Sequence, residues 1–316
     1  MSELVALTCA SGQQCGQLIP SLYDAHSETP RYKLRLVVNS ESSFHQLKQH
    51  YPRAEVIIVD LQNISHCRLI VAGATTIYHV GPSFHPHEMQ IGLNVIDAAV
   101  AEARKEGSKF KHFVYSSVLN PQFSKMLNHD RKKYVEEYLM ESPLNWTILQ
   151  PAHFMDTTVG ALFSQRDADK PVFSAPFDPR VAFSLIALRD LGAAAVKVIT
   201  ERERHYYAMY PLTSTGPIPY HEFVDAVRKE LGVTVNIKEL PLQEAVDKLC
   251  EQLYGTKDVD QRVRDGPERM LLFYDKRGLV GNPNVLRWLL GREPTTIADL
   301  VRIRLDGVAT GVVSGK

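Results

Sequence analysis

Neither sign of charge is in excess in this sequence: Lys and Arg total 36, Asp and Glu total 36, and the formal net charge is zero. A protein that grips nucleic acid through its phosphates carries a basic domain or stripe, so direct nucleic-acid binding is not expected. Short basic runs such as Arg131-Lys132-Lys133 read as solvated helix faces. No stretch approaches the roughly 18 consecutive apolar residues of a membrane-spanning helix, which argues against a membrane protein. Met1-Ser2-Glu3 opens with an acid and lacks the basic start, apolar run and cleavage site of a signal peptide. Cysteine is scarce as well. Cys9, Cys15, Cys67 and Cys250 show no metal-ligand spacing, so neither a metal site nor a disulfide framework is expected. These absences point to the reducing cytoplasm.

What is present is ordinary globular composition, 44% hydrophobic and 23% charged over 316 residues, enough for a large core domain with a smaller one attached. In the first half, short β-branched runs alternate with longer helical patterns, which argues for βαβ units and a parallel sheet. The strand candidates are Leu4–Thr8, Lys33–Val38, Glu55–Val59, Thr76–Val80, Lys111–Tyr115 and Trp146–Leu149. Their nearly continuous apolar character suits strands buried on both faces. Helical periodicity is clearest from Met89 to Glu106 and from His129 to Met140. Pro20 falls inside the helix after the first strand and predicts that it is kinked or short.

After Pro151 the pattern becomes mainly helical, with Asp190 placed to cap a helix running to Ile199. Further helices are expected near 221–231, 242–253, 263–275, 284–290 and 297–304. The expected architecture is α/β: a doubly wound, mostly parallel Rossmann sheet over 1–155, a smaller helical substrate domain over 156–305, and a loose tail over 306–316.

A Rossmann sheet binds pyrophosphate where the first strand turns into the first helix. Here the turn reads Thr8-Cys9-Ala10-Ser11-Gly12-Gln13-Gln14-Cys15-Gly16. A Gly-x-x-Gly-x-x-Gly loop would place glycines at 9, 12 and 15; only Gly12 is in register, and Gly16 sits one residue late. A side chain at 9 disfavours positive φ, and one at 15 crowds the helix against strand or phosphate. The loop is therefore either remodelled and working or a weakened binder of dinucleotide.

From these residues onward the chain resembles the NmrA-like (nitrogen metabolite repression regulator) family, an atypical branch of the short-chain dehydrogenases. The likeness runs through Asp60-Leu61, Gly92-Leu93-Asn94-Val95, Lys111–Val118, Lys132 with Val135–Leu139, Trp146–Ala152, Phe154-Met155, Gly281–Leu286 and Leu290–Thr296. It implies NADP(H) or NAD(H) as the nucleotide and a C-terminal domain that closes over a small-molecule substrate. The family holds reductases of phenolic or polyketide-like compounds and non-catalytic nucleotide sensors that act through protein partners; fold alone does not choose between them. Asn39 stands where the family often has an arginine for the 2′-phosphate, with Arg35 and Ser40 nearby. Lys132 matches the lysine of a Tyr-x-x-x-Lys pair, but the tyrosine position is Asn128.

Ligands of an open α/β sheet lie beyond the carboxyl ends of its strands. With the phosphate turn and the resemblance, that rule selects Thr8, Ala10, Ser11, Gly12, Gln13, Gln14, Asn39, Asp60, Leu61, His79, Val80, Gly81, Lys132, Pro151 and Phe154 as cofactor-binding candidates. The catalytic candidates are Ser116 or Ser117 to polarise a carbonyl, Lys132 to orient the cofactor, and His153, His129 or His85 to supply the proton that a tyrosine would have given. Each has a plainer alternative: a loop histidine is often merely exposed, Lys132 can be a solvated helix lysine, and Met155 and Tyr210 can be core. The expected function is an NmrA-type oxidoreductase-like protein acting on a small aromatic or polyketide-like metabolite. The alternatives are an NAD(P)-sensing regulator and a redox-neutral cyclase or isomerase.

Overall fold

The structure is a computed structural model that describes residues 2–168 and 171–309. The first half alternates β1 (Glu3–Leu7), α1 (Gln13–Leu22), β2 (Tyr32–Val38), α2 (Glu41–His50), β3 (Glu55–Ile58), α3 (Ile64–Val71), β4 (Thr76–Val80), α4 (Glu88–Ala103), β5 (His112–Ser116), α5 (Leu127–Glu141) and β6 (Trp146–Pro151). All six expected strands form, within two residues of the bounds read from the sequence. The reason is the β-branched and aromatic content of these runs, which fits a sheet covered on both faces.

The rest of the chain carries β7 (His153–Phe154), α6 (Met155–Phe163), β8 (Val172–Ala175), β9 (Ala182–Phe183), β10 (Leu185–Ile186), α7 (Leu188–Glu201) and β11 (Ala208–Leu212). It ends with β12 (Ile218–Pro219), α8 (Tyr220–Leu231), β13 (Asn236–Glu239), α9 (Leu242–Tyr254), α10 (Gln261–Arg277), α11 (Asn284–Leu290) and α12 (Ile297–Ala309). α12 extends past the expected boundary, so 306–309 are helical, and 310–316 of the expected tail lie outside the described residues.

The central sheet has seven strands in the order β11-β6-β5-β4-β1-β2-β3, and the pairings from β3 through β6 are parallel. The chain winds outward from β1 to β3, then returns across β1 to lay down β4, β5 and β6. The strand order therefore reverses between β1 and β4, the switch point where loops diverge and leave a crevice. Ile70, Ile77, Val95, Ile96, Phe113, Val135, Leu139 and Ile148 fill the layer between sheet and helices. α4 approaches α5 so closely that a Cβ on Gly92 would lie 2.6 Å from Val135 Cγ2.

The chain divides into two compact units. One holds the residues up to Ser124, Asn128–Gln150 and Leu191–Tyr210; the other holds Lys125–Leu127, Pro151–Asp190 and the chain from Pro211 onward. The division cuts α7: its first residues belong to the second unit and the remainder to the first. Asp190 does not cap a helix; α7 starts two residues earlier, at Leu188. The Asp190 carboxylate is fully buried and accepts from Arg292 Nη2 (2.7 Å), Thr295 N (2.6 Å), Thr295 Oγ1 (2.9 Å) and Ser214 Oγ (3.0 Å). Its role is to anchor the segment that leaves α11, where Gly291 takes the left-handed φ of +68° that turns the chain out of the helix.

Candidate functional site

The turn after β1 is tacked down on both sides: Thr8 N donates to Tyr78 O (3.1 Å) on β4, and Ala10 N donates to Val37 O (3.0 Å) on β2. Between them Cys9 adopts φ +49°, the left-handed region that favours glycine. Gly12 N closes the turn by donating to Cys9 O (2.9 Å), and a Cβ on Gly12 would sit 3.0 Å from that oxygen. The surviving glycine is thus one the turn needs. Gly16 has open space around it, so its displaced position has no steric purpose. Cys15 is buried, with Sγ donating to Thr8 O (3.4 Å), and fills the place of the third glycine. Burial pushes the Cys9 thiol up to about 11 and raises Cys15 further, so both are neutral thiols at ordinary pH.

α1 begins directly beyond this turn. Gly12 is its N-cap, no side chain caps it, and its first turn holds no acid. Its first N–H groups and the positive end of its dipole therefore meet no acid or capping side chain from the helix's own first turn. Beyond the carboxyl ends of β1 to β4 lies a pocket of about 620 Å³. Of the expected cofactor residues, Ser11, Gly12, Asn39, Asp60 and Leu61 line it, with Cys9, Val37, Val38, Ile58, Val59, Gln62, His66, Pro82, His85 and Ile91. None of these is Lys or Arg. Arg35 is unavailable to the pocket: Nε donates to Glu55 (2.8 Å) and Nη1 donates to the carbonyls of Leu69, Ile70 and Ala72 (2.8–3.1 Å). Ser40 caps α2, its Oγ accepting from Ser43 N (3.3 Å).

Several expected cofactor contacts are used differently. Thr8 is fully buried; its Oγ1 accepts from Val80 N (2.8 Å) and lies 3.0 Å from His79 Nδ1. The His79 ring stacks on Tyr115 with centroids 5.7 Å apart, and burial pushes its pKa down to about 3. Thr8, His79 and buried Ala10 therefore support the turn from beneath. Gln14 faces inward, Oε1 accepting from Ser116 Oγ (2.7 Å) and Tyr78 OH (3.3 Å). Gln13 is exposed at the start of α1. Ser116, expected to polarise a carbonyl, has its proton committed to Gln14.

A second group of polar side chains gathers on α4, α5 and the ends of β5 and β6. Lys132 is buried and forms an ion pair with Glu88, the first residue of α4. Gly81 lets the chain pass close to this pair: a Cβ there would lie 3.3 Å from Glu88 Oε1 and 3.8 Å from Lys132 Nζ. One turn further along α5, both Glu136 oxygens accept from Gln150 Nε2 (3.0 Å each), and Ser117 stands beside the carboxylate. Burial raises the Glu136 carboxyl to about 7, against the opposing pull of Ser117, Gln150 and Lys132. His129 Nδ1 lies 3.1 Å from Asn120 O, while Nε2 is buried without a hydrogen-bond partner. Burial pushes His129 down to about 4, so it is a neutral imidazole near pH 7. Asn128, in the tyrosine position, is buried at the start of the same helix.

Glu88, Glu136 and Gln150 were not picked out from the sequence. The i, i+4 step from Lys132 to Glu136 puts both on one helix face and was the available signal. In the second unit, His153 is hemmed by Phe183, Tyr220 and Tyr274 at centroid distances of 5.6–6.1 Å, and burial lowers it to about 4. Met155 is core there, Pro151 is buried and Phe154 half-buried. Tyr210 OH lies 2.9 Å from His205 Nδ1 in the first unit. Among the described residues no three His, Cys, Asp or Glu side chains converge as a metal site, and no helix is long and apolar enough to cross a membrane.

The model of the NmrA-like family matches residues 1–295, and the chain belongs to that family. Comparison with curated protein sequences returns no match. Among solved structures, the chain is similar to an NADPH-dependent quinone oxidoreductase from Escherichia coli in complex with NADPH (TM-score 0.72, 20% identity, 95% of this chain and 99% of that one). It is also similar to a triphenylmethane reductase from Citrobacter sp. in complex with NADP(H) (TM-score 0.71, 19% identity, 96% and 99%). A third is NmrA, a negative transcriptional regulator, in complex with NAD (TM-score 0.70, 16% identity, 99% and 99%). At these identities the likeness establishes the shared fold.

Proposed function

We propose that this NmrA-like protein binds a nicotinamide dinucleotide at the β1–α1 turn and uses it in oxidoreductase chemistry on a small aromatic or polyketide-like metabolite. The observation that carries the reading is the pocket of about 620 Å³ at the switch point, bordered by the uncapped, acid-free start of α1. Ser11, Gly12 and the first N–H groups of α1 would hold the pyrophosphate, and Asn39, Asp60 and Leu61 the adenosine portion. With no Lys or Arg among the lining residues and Arg35 engaged elsewhere, a 2′-phosphate gains no cationic partner, which favours NAD(H) over NADP(H). When bound, the reduced nicotinamide supplies a hydride.

The proton is the harder requirement. Asn128 carries no phenol, Lys132 is held by Glu88, and His129 is neutral at pH 7 with its pKa near 4. Glu136, near 7 beside Ser117, is the group in this unit best poised to hold and release a proton. His153 and Phe154 of the second unit stay as substrate-side candidates. Such a site suits acceptors whose reduction yields a delocalised anion and so needs only a weak proton donor, as an electron-poor conjugated carbonyl does. The family's regulatory reading is favoured by one observation, the Lys132–Glu88 pair, which ties up the lysine that would orient a cofactor.

Calorimetric titration with NADH and NADPH, followed by loss of reduced-nicotinamide absorbance with a panel of quinones and aromatic carbonyls, tests the proposal. Tighter binding of NADH, with turnover of some acceptor, is the expected result. Binding without turnover across the panel transfers the assignment to a sensor acting through protein partners. Absence of binding removes the nucleotide reading and leaves redox-neutral chemistry on the same fold.

A further inference from the structure

A second pocket, of about 380 Å³, lies in the second unit and is lined by Lys125, Arg269, Leu272, Phe273, Lys276 and Arg277. Five of these come from α10, and their steps of one, three and four residues place them along one helix face. Lys125 joins them from just before α5, so two distant parts of the chain converge here. In a chain with equal numbers of acids and bases, four cations without an acid among the lining residues form a local excess.

The charges are only partly balanced. Arg269 Nε pairs with Asp265 (2.8 Å) and Lys276 Nζ with Asp275 (2.5 Å), whereas Lys125 and Arg277 make no ion pair among the described residues. Lys276 and Arg277 sit in the last turn of α10, where cations favour the negative end of the helix dipole. That placement explains neither Lys125 nor Arg269. Nor does it explain Leu272, a large apolar side chain left 44% exposed beside them.

We propose that this pocket binds a small aromatic anion, with its ring against Leu272 and Phe273 and its carboxylate held by Lys125 and Arg277. A guanidinium fork matches a carboxylate in geometry and also stacks on rings, so Arg277 and Arg269 suit both halves of such a ligand. The volume falls within the roughly 300–1,000 Å³ of small-molecule sites. A protein segment would need more: a stable interface buries on the order of 1,000 Å² or above. The two pockets share no lining residue, so this assignment stands or falls apart from the nucleotide reading.

Titration of the intact protein with 2-naphthoate and with its uncharged amide, 2-naphthamide, tests the site. The naphthoate binds about tenfold or more tighter than the amide, as one or two charge-assisted hydrogen bonds require, and its binding weakens with added salt. Lys125→Gln combined with Arg277→Gln removes that advantage, and Leu272→Ser weakens both compounds. Circular dichroism and the urea midpoint of these surface variants remain those of the parent. Four results would overturn the proposal: equal affinity for naphthoate and naphthamide, full naphthoate binding by the double variant, inorganic phosphate bound as tightly as naphthoate, or a polyglutamate peptide bound where naphthoate is not. Failure of NADH to bind the parent protein would count against the nucleotide reading alone.

Discussion

Replacing Asp190 by alanine removes the acceptor around which the end of the second unit is organised. The carboxylate is fully buried and receives four hydrogen bonds, two to Thr295 and one each to Arg292 and Ser214. These donors do not suffer equally. The Arg292 side chain is 45% exposed and returns to water at little cost. Thr295 is buried, and its N–H and hydroxyl lose their partner together with the Ser214 hydroxyl. Each buried orphan costs about 1–3 kcal/mol, and water entering the vacated space recovers part of that. The expected net loss is about 3–5 kcal/mol, the scale for breaking one side of a buried pair. Asp190→Asn keeps one acceptor but turns an NH₂ toward the remaining donors, so it loses stability too, by less. Urea unfolding followed by circular dichroism reads the loss, with each transition fitted separately because a chain of two units need not unfold in one step. Hydrogen exchange should rise first at 292–296. A loss below about 1 kcal/mol in the alanine variant would show that these contacts are not what holds the segment.

Four further substitutions test the packing and the site. Gly92→Ala pushes a methyl to 2.6 Å from Val135 Cγ2 and should cost about 1–3 kcal/mol in thermal or urea unfolding; a neutral result would mean that α4 and α5 separate freely. Cys9→Gly relieves a left-handed φ of +49° and should improve nucleotide affinity or stability by about 1 kcal/mol, with unchanged values counting against strain at the turn. Asn39→Arg supplies a partner for a 2′-phosphate and should shift the NADPH-to-NADH affinity ratio by about tenfold toward NADPH in calorimetry, and no shift would place the adenosine elsewhere. Between the ordinary carboxyl value of 4.5 and about 7, folded Glu136 keeps a proton that the unfolded chain has lost. Its contribution is therefore complete below 4.5 and is lost as pH rises through 7, so Glu136→Gln should exceed the parent by about 3 kcal/mol at alkaline pH, with the gap closing in acid. A gap independent of pH would mean that Glu136 titrates normally. His79, His129 and His153, all lowered by burial, act with the opposite sign: they destabilise the folded chain as pH falls below the usual 6.5.

The sheet was legible because parallel strands buried on both faces write their identity into short β-branched runs, and α11 could be read to the residue because Pro283 and Gly291 bracket it. Side-chain partners were not legible in the same way. Asp190 looked like a helix cap from its neighbours in sequence, yet its donors come from 24 and more than 100 residues downstream. Lys132 looked like a cofactor lysine from its place on α5, but its partner Glu88 lies 44 residues upstream on α4. Local periodicity states which residues share a face; it carries no information on what the facing element presents. Arg35 is the same lesson in miniature, since three backbone carbonyls at the C-terminal end of α3 claim a guanidinium that proximity in sequence would have given to a phosphate.

The three departures from the family pattern therefore carry different weights once their surroundings are known. At the turn, Cys9 accepts the conformation a glycine would have taken, Gly12 closes the loop and Cys15 fills the space beneath it, so the geometry that presents the start of α1 survives. At the end of β2, Asn39 removes a cation that Arg35 cannot replace, because moving its guanidinium would leave the part-buried carbonyls of Ile70 and Ala72, and Glu55, without their donor. On the proposed reading, that change bears on which nucleotide is preferred. At the head of α5, Asn128 removes a proton donor; burial holds His129 and His153 neutral, and it raises Glu136 to about 7, into the working range. The first departure is compensated in place, and the second leaves the end of β2 without a cation. Only the third restricts chemistry, so measurements of turnover against pH, rather than of nucleotide affinity, are what separate a reductase from a sensor in this protein.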